Sequence, residues 1–578
     1  MNIHLMMRGL FGCLVCLCGA TSWAEPGGHS CKAPAEVERK LASHPSASAY
    51  AALGGYFGQR DDYACAIPSF RKALQLNPKS WETRSYLGLA LLANGDAKAA
   101  VHELQISLRQ NPGQREAHMT MGAALTQLNQ IDAAIAEFKT VLKTDPESVT
   151  ALDWLAKALI SQQRYAAAIA ALKNAPADEV LQMDLVVAYS KSKDNDRAML
   201  ILSQLIKDRP SSAIPHAGLA TVYTQLDRWE EAAKEFREAL RLNPQDDLSR
   251  VSYAKVLILL SDFKAALPVV QDYRHRHPAG FEGLYLMGVL DRELGNRAEA
   301  ASLLKRAVSL NPEHFDSRYH LGLVLMDAGQ AAEARVQLEK AVELDPSSNE
   351  ARFRLATVLR SLGLRDAARE QLAIYQGSIQ ERAKKDVAAT KANQANQFLK
   401  DGDTQKAVDA YREAVAENPK DSHIMYNLAL ALDRNGDYQG EREVLRKAID
   451  IDPGFTLAHN QIGFLSFQSG QLTEAEREFS TAISLDPHYA EAQNNLGSLY
   501  GQQGKVAEAE RLLRQAVEND PAYTQAFVNL AVTLASQARF EEAESALQDA
   551  LRIEPGNEHA QTVLTEIQAR TTQHDKNR

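Results

Sequence analysis

Apolar positions in this chain follow two nested periods. Within short windows they recur at i, i+3, i+4 and i+7, the spacing of one face of an amphipathic helix. The windows themselves return every 34 residues. In the unit from Trp81 to Pro112, Leu87 and Gly88 stand seventh and eighth, Leu91 eleventh, Ala100 twentieth and Leu104 twenty-fourth. The unit ending at Pro521 repeats this with Leu496, Gly497, Tyr500, Ala509, Leu513 and Ala516, and the unit ending at Pro244 with Leu219, Ala220, Tyr223, Ala232, Phe236 and Ala239. The pattern predicts two helices per unit. Small residues at the eighth position (Gly54, Gly122, Gly322, Gly463) and the twentieth (Ala66, Ala134, Ala334, Ala475) let those helices approach closely. Polar turn dipeptides such as Asn94-Gly95, Asn435-Gly436 and Ser469-Gly470 separate the helices, matching the glycine preference just past a helix end. A proline, which cannot sit inside a helix, closes each unit. Pro78, Pro112 and Pro146 begin the series, Pro210 to Pro346 continue it in steps of 34, and Pro419 to Pro555 finish it.

Two intervals break the period. Pro146 to Pro210 is 64 residues, one unit of 34 and one of 30, with Pro176 ending a helix early. Pro346 to Pro419 is 73 residues, and from Arg365 to Leu399 only Gly377 interrupts a helix-favouring run. A lengthened helix is expected over 365–399, exposed around Glu381 to Asp386. A fixed period of this size marks a solenoid whose units pack only on their neighbours. The expected fold is therefore all-α: a right-handed α-solenoid of about fifteen helix-turn-helix units. Its expected parts are an N-terminal segment over 25–45, a first arm of ten units over 46–380 and a second arm of five units over 386–556. The long helix overlaps both arms. A capping helix and tail follow over 557–578, the helix itself expected from Glu558 to Arg570.

The leucine-glycine, aromatic, alanine and proline positions resemble those of tetratricopeptide repeats over residues 46–556. The resemblance implies that the first helix of each pair lines a concave groove. At the sixth position the second arm carries Asn393, Asn427, Gln461, Asn495 and Asn529. A carboxamide both donates and accepts, so such a row could hold the amides of an extended peptide without reading its sequence. It resembles the asparagine ladder in the repeats of O-linked N-acetylglucosamine transferases. The plainer alternative is that this position simply faces solvent. Asn396, Tyr426, Asn494 and Gln525 flank the row. The chain departs from the two-carboxylate-clamp repeats, because Ala389, Ala392 and Tyr426 stand where lysine and arginine would be needed. In the first arm the groove positions carry Trp81, Arg84, Tyr86, His118, His216, His320 and Arg354, either a second docking face or plain surface.

Composition narrows the function classes. The net charge of −10 is spread along the chain, with no basic stripe of the kind that binds nucleic acid. Residues 1–24 have Arg8, an apolar Gly9–Ala20 stretch and Ser22-Trp23-Ala24, which read as a secretory signal peptide cut before Glu25. No second apolar run of spanning length follows, so no membrane span is expected after cleavage. With no Asn-x-Ser/Thr sequon, the reading is bacterial export, to the periplasm or beyond. Cys13, Cys16 and Cys18 lie in the signal; Cys31 and Cys65 either pair as a disulfide or remain as separate thiols. His275-Arg276-His277 is a poor ligand set without a carboxylate or cysteine neighbour. No Walker A loop, HExxH or G-x-S-x-G occurs, and no cofactor is expected. The expected function is a non-catalytic scaffold that binds an extended peptide or partner protein in envelope or secretion-related assembly. The alternative is an accessory subunit recruiting substrates to a separately encoded transferase or peptidase.

Overall fold

The computed structural model describes residues 31–35, 39, 41 and 43–576. The signal segment read over 1–24 lies outside the described residues. Among the described residues the chain forms thirty helices and no strand, an all-α solenoid. The helices come in pairs, a first helix such as Trp81–Ala93 and a second such as Ala97–Gln110. One helix of 36 residues, Arg365–Lys400, is both the second helix of repeat 10 and the first of repeat 11, so fifteen repeats are present. In repeat 4 the second helix is cut to Tyr165–Leu172, ahead of Pro176. The last helix, Glu558–Lys576, buries Ala560 and Ile567 against Leu547 and Ala550 of repeat 15.

The chain divides into two compact units, one ending at Asp194 and the other beginning at Asn195. Unit 1 holds repeats 1 to 4 and the first helix of repeat 5, Glu179–Lys191; unit 2 holds the rest, the long helix included. At the N-terminal end of unit 1 a disulfide joins Cys31 to Cys65, with Cα atoms 5.5 Å apart.

Each turn between paired helices passes through one left-handed residue. Eight repeats use glycine, as at Gly95 (φ +87°), and seven use another residue, as at Asn129 (φ +58°) and Ala538 (φ +57°). The next N–H then folds back five residues to an open helix carbonyl: Asp96 to Leu91 at 2.9 Å, Arg539 to Leu534 at 3.1 Å. This satisfies acceptors that the helix end would otherwise leave bare. Once the pair is folded back, the eighth and twenty-fourth residues meet. A Cβ on Gly463 would stand 2.7 Å from the Phe479 ring, and one on Gly88 2.6 Å from Leu104, so the bulk of the second helix occupies the space the first leaves. The core is shared between neighbours. Leu513 of repeat 14 packs with Val528 and Leu534 of repeat 15, which pack with Leu547 in turn. No repeat buries its apolar face alone, which is why the pattern must propagate.

Candidate binding faces

Within each unit most first helices of successive repeats touch one another, as Ala490–Gln502 touches Thr524–Ser536, whereas second helices do not approach their counterparts comparably. The stack therefore bends toward the first helices, and their free side is the inner face. Residues there divide into those that hold the stack together and those that remain available.

The fourth position of the first helix belongs to the stack. Arg84 donates to the Pro78 carbonyl (3.0 Å) and pairs with Glu103 (2.6 Å), nineteen residues on in the second helix. His118 reaches the Pro112 carbonyl (2.9 Å) and Glu137 (2.5 Å), and His459 reaches the Pro453 carbonyl (3.2 Å) and Glu478 (2.7 Å). His216 pairs with Glu235 at 2.6 Å, and Arg352 donates to the Pro346 carbonyl and to Gln371. Gln493 makes the same carbonyl contact at Pro487. Each clamp ties the inter-repeat turn to its own helix pair. Both ring nitrogens of His118 and of His459 face acceptors, so both rings carry two protons; the glutamate bonds raise their pKa values. Arg84, His118 and His216 are thus structural, although their residue types suggest a docking face. Of the other positions read in the first arm, Trp81 and Tyr86 are half-buried, Tyr86 stacking on Phe70 at 6.1 Å. Arg354 pairs with Glu350 at 2.7 Å. His320 lies between Tyr285 and Tyr319, and burial pushes its pKa down to about 4, so the ring is neutral.

The five sixth-position carboxamides fall into two groups. Asn393 is exposed and Asn427 half-buried, and neither side chain bonds another described side chain. The other three are drawn into a network between repeats. Gln461 donates to Glu441 (2.7 Å), Asn495 to Asn460 (3.0 Å), and Asn529 to Asn494 (2.8 Å) and Ser498 (2.9 Å). The fifth-position residues beside them reach the next repeat as well. Tyr426 meets Phe455 edge-on at 5.6 Å, Asn460 donates to the Tyr489 hydroxyl (3.4 Å), and Asn494 to the Tyr523 hydroxyl (3.2 Å). Burial pushes the Tyr523 hydroxyl up to about 12 and raises that of Tyr489 as well, so both stay protonated. Of the remaining residues flanking the row, Asn396 accepts from the Tyr411 hydroxyl, and Gln525 donates to Asn529.

Glu441 is the residue sequence reasoning missed. It stands at the twentieth position, where other repeats have alanine, and is fully buried. Its Oε2 has no hydrogen-bond partner, and burial holds its proton up to about pH 7. The signal was present: a glutamate at the small-residue phase, followed twenty residues later by the row's single glutamine in place of asparagine.

On the inner face of unit 1 a groove of about 1060 Å³ runs along the first helices of repeats 3 and 4, Arg115–Gln127 and Val149–Ser161. Met119 and Trp154 line it beside several carboxylates. His277 hydrogen-bonds Asp247 at 2.6 Å and Arg276 pairs with Asp272 at 3.0 Å, so carboxylates do neighbour this segment, contrary to the reading of the sequence. Among the described residues no three His, Cys, Asp or Glu side chains converge as a metal site would need, and no helix is long and apolar enough to cross a membrane.

The chain is 36% identical over 77 residues to the photosystem I assembly protein Ycf3 of Synechococcus elongatus, a stretch covering 13% of this chain and 44% of that relative. Solved structures similar to it include Cut9–Hcn1 of the APC/C (15% identity, TM-score 0.33, covering 93% of this chain and all of the other) and yeast Tom70 (16%, 0.31, 92% and 96%). MamA is similar over a shorter span (20%, 0.26, 29% and 92%). Tetratricopeptide repeat signatures match residues 59–124, 125–182, 159–222, 213–246, 285–349, 325–389, 393–454, 455–522 and 501–567. Between the matched stretches, residues 247–284 still fold as the helix pair Asp247–Leu259 and Phe263–Arg276, with Pro268 inside its second helix. Signatures, helix pairs and left-handed turns coincide in phase: the chain belongs to the tetratricopeptide repeat family, a fold that ordinarily serves as a scaffold for protein–protein interaction.

Proposed function

We propose that this scaffold is exported to the cell envelope and holds extended segments of partner proteins along its inner face, without catalysis of its own. The observation carrying this reading is the contrast at the sixth position. Asn393 and Asn427 keep their amide donors and acceptors unspent beside Tyr426, while Gln461, Asn495 and Asn529 brace the neighbouring repeats. A braced face with unspent amides is pre-organised for backbone hydrogen bonding, which lowers the ordering cost of binding. Envelope placement is supported by the signal-like residues 1–24 and by the cysteine pair, since disulfides persist in oxidising compartments. An assembly role is in keeping with the name of the curated relative. The alternative, an accessory subunit that brings substrates to a transferase or peptidase, is supported by the likeness of the carboxamide row to a substrate-recruiting arm.

The test is capture from envelope extract by the whole chain and by an Asn393→Ala/Asn427→Ala variant. Both positions lie outside the bracing network, so the variant should keep its thermal midpoint. Partners held by the wild type and lost by the variant support the reading, and a transferase or peptidase among them favours the alternative. Identical captures count against the row.

A further inference from the structure

The groove of unit 1 has a charge imbalance that its apolar lining does not require. Glu116, Asp145, Asp153 and Asp178 line it, against only Arg115 and Lys157. Both cations are already engaged, Arg115 with Asp145 at 3.1 Å and Lys157 with Asp153 at 2.5 Å. Behind Asp153 stands Asp184, from the first helix of repeat 5 (Glu179–Lys191), only 7% exposed. The Asp184 Oδ2 is buried and has no hydrogen-bond partner. Burial, with the neighbouring Asp153 carboxylate, pushes the Asp184 carboxyl up to about 8. An acceptor left bare inside a protein is costly, and native structures seldom keep one without a use. Trp154 lines the same groove, its ring 5.9 Å from Phe138, and an indole face attracts cations.

We propose, resting on the scaffold reading above, that this groove recognises a lysine or arginine side chain of an extended partner segment, its charge meeting Asp153 with Asp184 behind and its methylenes lying on Trp154 and Met119. An extended segment fits because the groove is open and continuous over the first helices of consecutive repeats. A basic side chain fits because it supplies the positive charge that the lining lacks, and its apolar stem can cover Trp154 while the head group reaches the acids. A metal ion is a poorer occupant, since no three ligands converge there among the described residues.

The test uses a display library of random linear dodecapeptides selected on the whole chain. The expected result is enrichment of lysine or arginine at one position beside an apolar residue. A synthetic copy of the selected peptide with norleucine in place of the lysine should bind about tenfold or more weakly by fluorescence anisotropy. The Asp153→Asn variant should show the same loss toward the lysine peptide and none toward the norleucine peptide. The norleucine comparison uses wild-type protein throughout, so it stands even if the variant folds poorly. Selected peptides without a basic preference, or equal binding of the lysine and norleucine peptides, would overturn the cation site and leave the scaffold reading intact. A library from which nothing is enriched would overturn the scaffold reading itself.

Discussion

Glu441, His118 and His459 make the stability of this protein fall as pH rises. Glu441 keeps its proton up to about pH 7 in the fold, against 4.5 when unperturbed, because burial opposes the carboxylate and Asp433 adds repulsion. Its folded value is raised, so it costs nothing below about pH 4.5, and stability declines from there to pH 7 as the unfolded chain ionises first. At about 1.4 kcal/mol per pH unit the full penalty is on the order of 3–4 kcal/mol. The two clamp histidines act in the same direction for a different reason: each is held protonated by a glutamate and a carbonyl, so its contribution is present below pH 6.5 and lost as pH rises through the raised folded value. Urea melts at pH 5 and pH 8 should show wild type weaker at the higher pH. Glu441→Gln, which keeps a partner for Gln461, should remove part of that difference between pH 4.5 and 7, Asp184 supplying another part. His118→Gln with His459→Gln, the residue already used at Gln493, should reduce it further above pH 6.5, while Asp184, held up to about 8, retains its own share. A variant curve parallel to wild type would contradict these assignments. The histidine roles were not legible from residue types: His118 and His216 read as either a docking face or plain surface, because the nineteen-residue pairing with Glu137 and Glu235 becomes visible only when the helices fold back on each other.

At the scale of the element, the helix pair was almost fully legible because its rules are local. Period, small residues at eight and twenty, and proline at the unit's end each have a local steric cause, although Pro68 and Pro268 are held inside second helices and Glu441 replaces the small residue once. The helix bounds Arg365–Lys400 and Tyr165–Leu172 likewise follow from the missing and the early proline. What sequence could not give was the cost of the turns. Only eight of fifteen carry glycine at the left-handed position, and the other seven bear side chains that disfavour that conformation by about 1–2 kcal/mol per residue. Ala538 has no polar side chain to compensate. Ala538→Gly should therefore raise stability by up to about 1 kcal/mol, with the greater freedom of unfolded glycine offsetting part of the gain, and a thermal melt checks it. A lowered midpoint would mean that the turn between Thr524–Ser536 and Phe540–Ile553 is not strained.

At the scale of the whole molecule, stacked repeats leave their terminal faces to be covered, and both ends of the described chain are secured. The disulfide closes a loop of 34 residues onto repeat 1, and the final helix covers the apolar side of repeat 15. Between them the inner face of each unit is the surface on which a partner could touch several repeats at once. The sequence located the carboxamide row on that face, but it could not tell unspent amides from bracing ones. That distinction depends on reach across 35 residues of chain, as from Asn529 to Asn494 and from Asn495 to Asn460. It also could not expose the groove of unit 1, whose acids come from different repeats and meet only in the folded stack. The most direct measurement is site-specific photo-crosslinking in the envelope, with the probe residue placed at Asn427 on the inner face or at Lys447, exposed on the second helix of the same repeat. Partner binding along the inner face predicts discrete adducts from position 427 and none from 447. Adducts from 447 alone, or from neither position, would contradict it.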